Sequence, residues 1–322
     1  MRVTLNNRLV YDSNTFVEIE HPRESHGQFT AGSGKAKLSQ SVATQTVNNK
    51  GQTVNIHSSS TGGALPEHIA KLKIPPAWTN VHYSSDPNSA LQAQGKDAKG
   101  RLQSIYSEAF AKTQAAAKFE RVEALNKQFV QIESQVAKDT LSSDPKRKDL
   151  ANCLSLIMAM GIRPGSDTDT KSEKKAYGAT NMLGKHIVDD GKEMRLKFTG
   201  KKGVELDLPV TDPKLVKMLK ERAAIAGADG QIFPSVSDKS LLAYTHTLDG
   251  GTFKTKDFRT HVGTYAAAEL VKSMPSPKND AERKKAITKV AVEVSKRLGN
   301  TPTIALQSYI NPIIFSIWEM AK

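Results

Sequence analysis

One hairpin pattern set among helical patterns constrains the fold of this chain more than any other feature. In EMRLKFTGKKGVELDLPV (residues 193–210), Met194, Leu196 and Phe198 alternate with polar residues, and the alternation resumes after a turn at residues 200–203. Such alternation is typical of half-buried strands, so the segment predicts two antiparallel strands joined by a short turn. On both sides of it, apolar residues instead recur at three- and four-residue steps, which is typical of helices. The pattern therefore indicates an α+β fold that is mostly helical and contains one small sheet.

The helical patterns carry recognisable start and stop signals. Apolar residues mark one helix face over residues 119–136, and a second helix opens at Ser143-Asp144-Pro145 and ends at Gly161. Proline suits the first helical position and glycine the residue after the last one. Further helices are predicted to start at Thr211-Asp212-Pro213, to span residues 255–274 and 281–298, and to run from Pro302 with a break near Pro312.

The N-terminal part of the chain has weaker patterns. Residues 1–20 alternate weakly and predict a short strand pair around Asn6-Asn7. Residues 21–65 are rich in Ser, Thr, Gly, Asn and Gln, and they cannot bury enough apolar surface to offset the entropy of ordering. We therefore interpret them as a flexible leader. Strands are predicted at the end of IPPAWTNVHY (residues 74–83) and at residues 90–94.

Composition narrows the class of function. The chain has 46 Lys and Arg against 33 Asp and Glu, a net charge of +13, which favours a nucleic acid as partner because neutralised phosphates release counterions. The single cysteine, Cys153, excludes a disulfide within the chain and a cysteine-based metal site. The histidines lack the spacing of a metal site, and no apolar stretch reaches transmembrane length or resembles a signal peptide. We therefore expect a soluble protein in a reducing compartment.

Several basic and polar residues stand at points that the predicted structure fixes. Arg163 follows a buried helix, Lys201 lies in the hairpin turn, and Lys256 and Arg259 share one face of a helix. The segment LGNTPTIALQSYI then places Asn300 near a helix start and Tyr309 further along.

These residue types are the ones that phosphodiester transfer needs. Two arginines can hold the non-bridging oxygens as permanently charged bidentate donors, and a lysine can protonate the departing oxygen. A tyrosine can serve as the nucleophile when adjacent arginines favour its oxyanion. Each residue alone is more simply read as a cap, a surface turn residue or a core aromatic, so the weight lies on their joint order.

That order resembles the type IB DNA topoisomerases, especially the poxviral and bacterial ones. The likeness covers most of residues 74–311: an arginine, a lysine in a hairpin, Lys-x-x-Arg, and then Gly-Asn-Thr-Pro ahead of a tyrosine. KIPPAWTNV, LQAQGKDAKGRLQSIY and YGATNMLGKHI (residues 177–187) also resemble segments of that family.

The resemblance implies a role for each catalytic residue. Tyr309 would attach to the 3′ phosphate of DNA, Arg163 and Arg259 would clamp the phosphate, and Lys201 would protonate the 5′ oxygen. Asn300 stands where poxviral members have histidine, and it would donate a hydrogen bond to a non-bridging oxygen. The reaction would relax positive and negative supercoils without ATP, metal or other cofactor.

The resemblance also implies a domain plan and a DNA interface. It divides the chain into a leader (1–65), a reduced β-containing DNA-clamping lobe (66–110) and a catalytic domain (111–322). Family members tend to have an aromatic residue after the glutamine of the GRLQSIY segment, whereas this chain has Ser104, which leaves any inherited site preference open. The chain is expected to be a monomer that wraps double-stranded DNA, with DNA-contact residues Lys99, Arg101, Gln103, Tyr106 and Lys256.

Two alternatives of different kinds stay open at this point. A tyrosine recombinase or integrase shares this chemistry, although recombinases typically show His-x-x-Arg where this chain has Lys256 and Arg259. A DNA-binding structural protein of a virion is suggested by HPRESHGQFTAGSG (residues 21–34), which resembles a segment near the start of tailed-phage proteins. We expect a cytoplasmic protein of a bacterial or phage-infected cell, or one associated with the virion.

Overall fold

The computed structural model describes residues 38–47, 53–59, 61–166 and 175–318. The chain forms two compact units, Met1–Gln114 and Ala115–Lys322. The sequence placed the corresponding boundary between residues 110 and 111. In the first unit the described residues form mainly an antiparallel sheet, and in the second they are mostly helical.

The sheet of the first unit has five strands in the order β2-β1-β3-β4-β5. A short helix, α1 (Glu67–Ala70), precedes β3, and its Ile69 packs with Tyr83 and Ala93 in a small apolar core. The strands are β1 (Leu38–Val47), β2 (Thr53–Ser59), β3 (Thr79–Ser84), β4 (Leu91–Lys96) and β5 (Leu102–Tyr106).

The flexible leader predicted for residues 1–65 is wrong for β1 and β2. These strands pair with each other from Ser41↔Ser59 to Val47↔Thr53, and β1 also pairs with β3. Their Thr and Val residues favour strands, and ladder hydrogen bonds order them although few large apolar side chains are present. The predicted lobe at 66–110 is therefore too short, because the observed sheet also contains β1 and β2. The predicted strand pair at 1–20 and the phage-type segment at 21–34 lie outside the described residues.

Two long helices confirm the predictions made for the middle of the chain. The helix α2 (Glu108–Asp139) buries Val122, Leu125 and Ile132 on the predicted face, although it begins earlier than predicted. The helix α3 (Pro145–Met160) is capped by the Asp144 side chain, which accepts a hydrogen bond from the Lys146 amide. It ends at Gly161, whose φ of 64° is the left-handed conformation that glycine tolerates.

The predicted hairpin forms as β7 (Met194–Gly200) and β8 (Val204–Val210). Met194, Leu196 and Phe198 are buried, as the alternation predicted. A short strand that the sequence did not reveal, β6 (Ile187–Asp189), pairs antiparallel with β7.

Helices complete the second unit, and most of their starts and ends follow the predicted signals. They are α4 (Pro213–Ala226), α5 (Asp238–Asp249), α6 (Thr255–Ser273), α7 (Asp280–Leu298) and α8 (Pro302–Ser308), followed by a 3-10 turn at Pro312–Trp318. Sequence patterns missed α5. Two apolar clusters hold the unit: one joins α2 and α3 to the hairpin, and the other joins α6, α7 and α8.

A buried carboxylate fixes the C-terminal end of α2. Asp139 accepts hydrogen bonds from the Tyr244 hydroxyl at 2.8 Å, from Arg147 at 3.0 Å and from Gln135 at 2.9 Å. Burial alone would raise the pKa of Asp139, but the bonds from Arg147, Tyr244 and Gln135 outweigh burial and leave the pKa lowered. Asp139 therefore stabilises the folded protein in its charged form, linking α2 to α3 and α5.

We predict that Asp139→Ala lowers the free energy of unfolding at neutral pH by about 1–3 kcal/mol, because the Tyr244 hydroxyl loses its partner. A lowered carboxyl pKa gives stability that is present above the unfolded-state pKa and lost as the pH falls through the folded-state pKa. The wild-type advantage over the variant should therefore shrink below about pH 4. Urea unfolding at several pH values measures both effects.

The exposed Asp207, which pairs with Arg195 at the surface, provides the matched control. Asp207→Ala should change stability much less, because exposed ion pairs contribute little. Equal losses for both variants would contradict the importance of the Asp139 network.

Candidate active site

The loop that carries Arg163 is held by the YGATN segment. The Ala179 amide donates to the Arg163 carbonyl at 2.9 Å, and the Thr180 amide donates to the Pro164 carbonyl at 2.7 Å. Gly178 lies so close that an added Cβ would stand 2.6 Å from the Arg163 carbonyl oxygen and 2.5 Å from the Gly165 nitrogen. Only glycine allows this approach.

Asn181 closes the same arrangement with its side chain. Its Oδ1 accepts from the Gly178 amide at 2.7 Å, and its Nδ2 donates to the Ser166 carbonyl at 3.0 Å. The sequence marked this segment as family-like without giving it a role. The structure shows that it fixes the backbone on which Arg163 stands.

Lys201 stands in the turn of the hairpin, as predicted. It follows β7 directly and opens the 3-10 turn Lys201–Gly203 that leads into β8. Its side chain is exposed. The paired strands fix the base of this turn, while the side chain itself is free to reach a bound substrate.

Arg259 is deeply buried in α6, with only 3% of its surface exposed. Its guanidinium donates through Nη1 to the Gly161 carbonyl and through Nη2 to the Leu298 carbonyl, the latter at 2.8 Å. Burial lowers the pKa of Arg259, but an arginine stays protonated in proteins. Its Nε has no hydrogen-bond partner among the described residues, so donor capacity remains for a ligand.

The Gly-Asn-Thr-Pro segment joins two helices. Gly299 ends α7 in the left-handed conformation, and an added Cβ there would stand 2.0 Å from Leu206 of β8. Thr301 caps α8 by accepting from the Ile304 amide at 3.3 Å, and Pro302 takes the first helical position. Asn300 is therefore not the cap, and its amide oxygen and nitrogen are both buried without a partner among the described residues.

Tyr309 follows α8 immediately instead of lying within a helix. Its amide donates to the Ala305 carbonyl at 2.9 Å, which closes the last turn. The guanidinium carbon of Arg259 lies 4.7 Å from the centre of its ring, and that of Arg163 lies 6.0 Å away. Two permanent positive charges therefore stand beside the phenol.

All five predicted catalytic residues line one pocket of about 570 Å³ in the second unit. They are Arg163, Lys201, Arg259, Asn300 and Tyr309. Ser308, Ile304 and Tyr177 also line this pocket, and sequence reasoning assigned none of them to it. A pocket with two arginines, a lysine and a tyrosine suits a phosphodiester.

Four of the predicted DNA-contact residues lie in the first unit, around the β4–β5 turn and along β5. Asp97 organises the turn, because its side chain accepts from Arg101 at 2.9 Å and from Gln103 at 3.1 Å. The side-chain hydrogen bond from Arg101 lowers the pKa of Asp97. Lys99 is exposed, and Tyr106 stacks on Phe110 with ring centres 5.1 Å apart.

The fifth predicted DNA-contact residue, Lys256, is exposed on α6 in the second unit and is not among the pocket-lining residues. Its neighbour Asp257 is fully buried and accepts from Arg121 of α2 at 3.3 Å. The prediction that Lys256 and Arg259 share one helix face is therefore wrong: Lys256 points outward, whereas Arg259 points inward because it bonds to carbonyls at the ends of α3 and α7.

The described residues contain neither a candidate metal site nor a membrane-spanning helix. No group of three or more His, Cys, Asp or Glu side chains in this part of the chain could hold a metal ion. Within the same residues, no helix has the length and apolar character needed to cross a membrane.

The comparisons with known proteins agree with this geometry. The family model for the catalytic core of eukaryotic DNA topoisomerase I matches residues 107–311, and that for the N-terminal domain of bacterial DNA topoisomerase IB matches residues 63–97. The chain therefore belongs to the type IB DNA topoisomerases, isomerases whose substrate is DNA.

A viral relative supports the same assignment. The chain is 29% identical over 268 residues to a DNA topoisomerase 1B of Acanthamoeba polyphaga mimivirus. The alignment covers 79% of this chain and 80% of the relative. These matches give no support to the recombinase or to the structural-protein alternative.

We predict that Gly178→Ala slows DNA cleavage roughly tenfold or more, because the added methyl group pushes the Arg163 backbone away from the pocket. A single-turnover cleavage assay measures the effect. Gly63→Ala is the matched control, since its nearest neighbour would be 3.4 Å away, an ordinary contact. Full cleavage activity in Gly178→Ala would show that Arg163 does not depend on this contact.

Proposed function

We propose that this chain relaxes supercoiled duplex DNA by nicking one strand with Tyr309 and resealing it after strand rotation. The observation that carries the proposal is the pocket that gathers Tyr309 with Arg163, Arg259, Lys201 and Asn300. This set contains a nucleophile, a proton donor and fixed donors for the phosphate oxygens.

The proposed chemistry is a balanced exchange of phosphodiesters. The Tyr309 hydroxyl gives its proton to solvent water, its oxygen attacks phosphorus, and the bond from phosphorus to the 5′ oxygen breaks. Lys201 gives a proton to that leaving oxygen. The phosphotyrosyl bond replaces one ester by another, so the reverse reaction reseals the strand without ATP. Between the two steps the free 5′ end rotates and releases supercoils of either sign.

Arg163 and Arg259 would neutralise the charge that builds on the phosphate in the transition state. Arg259 is held in place before DNA binds, because its guanidinium is bonded to two carbonyl groups. Donors that are fixed in advance need no reorganisation at the moment of reaction. The same two charges stand close to the Tyr309 ring, beside the place where the phosphate would be attacked.

Asn300 would complete the set of donors. Its amide group is buried and makes no hydrogen bond within the described parts of the chain. Buried polar groups are normally paired, so an unpaired amide that lines the pocket fits a ligand oxygen. The Asn300 amide would donate to a non-bridging oxygen of the phosphate.

The proposed DNA interface outside the pocket consists of Lys99, Arg101, Gln103, Tyr106 and Lys256. The two lysines are exposed and unrestrained by ion pairs with described residues, which suits salt-dependent phosphate contacts. Arg101 and Gln103 are oriented by Asp97, whose charge offsets part of that of Arg101.

We further propose that the protein acts as a monomer, without a small-molecule cofactor, in the cytoplasm of a bacterial or phage-infected cell. One chain supplies all five groups of the pocket, so a second copy is not needed for the chemistry. The chain's free cysteine, Cys153, is buried, which is compatible with a reducing compartment.

The first test is relaxation of negatively supercoiled plasmid in EDTA without ATP. We expect a ladder of relaxed topoisomers on a gel, and positively supercoiled plasmid should relax as well. Tyr309→Phe should abolish both relaxation and covalent attachment to DNA, while salt-sensitive binding stays nearly intact. A Tyr309→Phe protein that still nicks DNA would refute the nucleophile assignment.

A second test concerns the proton donor. We expect Lys201→Ala to slow cleavage by roughly 100-fold or more, in line with the contribution of a general acid. A substrate whose 5′ bridging oxygen is replaced by sulfur needs no proton donor, because the thiolate leaves readily, and it should restore most of the lost rate. Lys197→Ala, which removes an exposed lysine of β7 outside the pocket, should show no such selective rescue. If the sulfur substrate leaves Lys201→Ala equally slow, Lys201 is not the acid.

A further inference from the structure

Two helices, α6 and α2, make hydrogen bonds to the chain on both sides of Tyr309. From α6, the Thr264 hydroxyl donates to the Tyr309 carbonyl at 3.0 Å and accepts from the Asn311 amide at 3.1 Å. Gly263 lies against the same residue, because an added Cβ would stand 2.8 Å from the Tyr309 carbonyl oxygen and 3.1 Å from its Cβ. The α6 side of the segment is therefore in tight backbone contact.

On the other side, two charged side chains of α2 make hydrogen bonds to the residues next to Tyr309. Lys118 donates from Nζ to the Ser308 carbonyl at 2.9 Å, directly before Tyr309. Glu123 accepts from the Asn311 side-chain amide at 3.0 Å, two residues after it. Neither contact was predicted from the sequence. Together they bracket the nucleophile in the chain.

The Lys118 contact has a clear local reason. Ser308 is the last residue of α8, and the final carbonyls of a helix lack partners within it and carry partial negative charge. A lysine ammonium is a favourable partner for such a carbonyl. The contact therefore fixes the end of α8, and with it the point where the Tyr309 side chain leaves the backbone.

Burial and nearby positive charges make it costly to keep Lys118 charged at this contact. The pKa of Lys118 is lowered to about 8, mainly by burial and also by the positive charges of Lys256 and Arg121, while the negative charge of Asp257 opposes the shift. A half-buried ammonium among other cations is costly unless it is well bonded. It is mostly protonated at neutral pH and loses its charge as the pH rises past about 8.

We propose that Lys118 is a positioning residue for the transesterification: by fixing the Ser308 carbonyl, it aims Tyr309 at the phosphate for in-line attack. The inference rests on the proposed role of Tyr309 as the nucleophile. Lys118 touches the backbone of the nucleophile segment, so its effect is on the geometry of Tyr309. In-line transfer tolerates little misplacement, and a shift of about 1 Å can reduce the rate roughly 100-fold.

The test compares single-turnover cleavage by full-length wild-type protein and Lys118→Met. We expect cleavage to slow roughly 10- to 100-fold at saturating protein, with equilibrium binding to a duplex changed by less than about threefold. The matched control is Lys112→Met, which removes the same charge from an exposed position on α2 and should cleave at the wild-type rate. Cleavage by Lys118→Met at the wild-type rate, or a loss explained by weaker binding alone, would overturn the proposal.

A conservative variant gives a readout that a purely structural role would not move. Lys118→Arg keeps a donor and stays charged at every pH used. As the pH rises from 7 to 9, the wild-type rate should fall several-fold relative to that of Lys118→Arg, because only wild type loses the charge on residue 118. Lys201 and Tyr309 are common to both proteins and cancel in the ratio. A ratio that does not change with pH would overturn the proposal, including where Lys118→Met fails to fold.

Covalent attachment by wild type keeps the two hypotheses apart. If wild type forms an adduct that Tyr309→Phe lacks, and Lys118→Met cleaves normally, only the positioning role fails. If wild type forms no adduct under any condition, the proposed function fails, and with it the basis of this inference.

Discussion

The buried guanidinium of Arg259 is the interaction on which the site depends. Placing a charge in the interior is costly, and here the carbonyls that end α3 and α7 offset that cost because each is the negative end of a helix. Gly161 precedes Arg163 by two residues, and Leu298 precedes Asn300 by two. One side chain thus sets the spacing of the two other proposed phosphate ligands while its own charge lies beside Tyr309.

Close backbone approach supplies the rest of the precision. Gly178 against the Arg163 loop and Gly263 against Tyr309 are both positions where a single added carbon would collide with main-chain atoms. Contacts between backbones vary less than contacts between long side chains, which lose rotamer entropy when they are ordered. The reacting groups therefore stand on segments whose positions are fixed before DNA arrives, and the exposed Lys201 side chain is the member with most freedom.

Sequence reasoning succeeded where the signal is local. The β7–β8 hairpin, the caps of α3 and the ends of α6 and α7 follow from periodicity and from Asp, Pro and Gly at element ends. The proposed catalytic residues came from their order along the chain and a family likeness, and the structure brings all five to one pocket. Long-range contacts left no such trace: β1 and β2 are ordered by pairing with few large apolar residues, and Lys118 meets Ser308 across 190 residues. Asp97, which orients two predicted DNA contacts, was missed because only the folded turn brings it to them.

The contact between Gly299 and Leu206 has a mechanical consequence. Leu206 belongs to the strand that follows Lys201, and Gly299 precedes Asn300, so the hairpin turn with the proposed proton donor and the turn with the neutral amide are in direct contact. A displacement of either the hairpin turn or the Gly299 turn must therefore move the other turn or open a cavity between them. Movement of the Lys201 ammonium and of the Asn300 amide toward DNA would then be coupled. Substitutions at Leu206, which lines the pocket between the two parts, would therefore affect both.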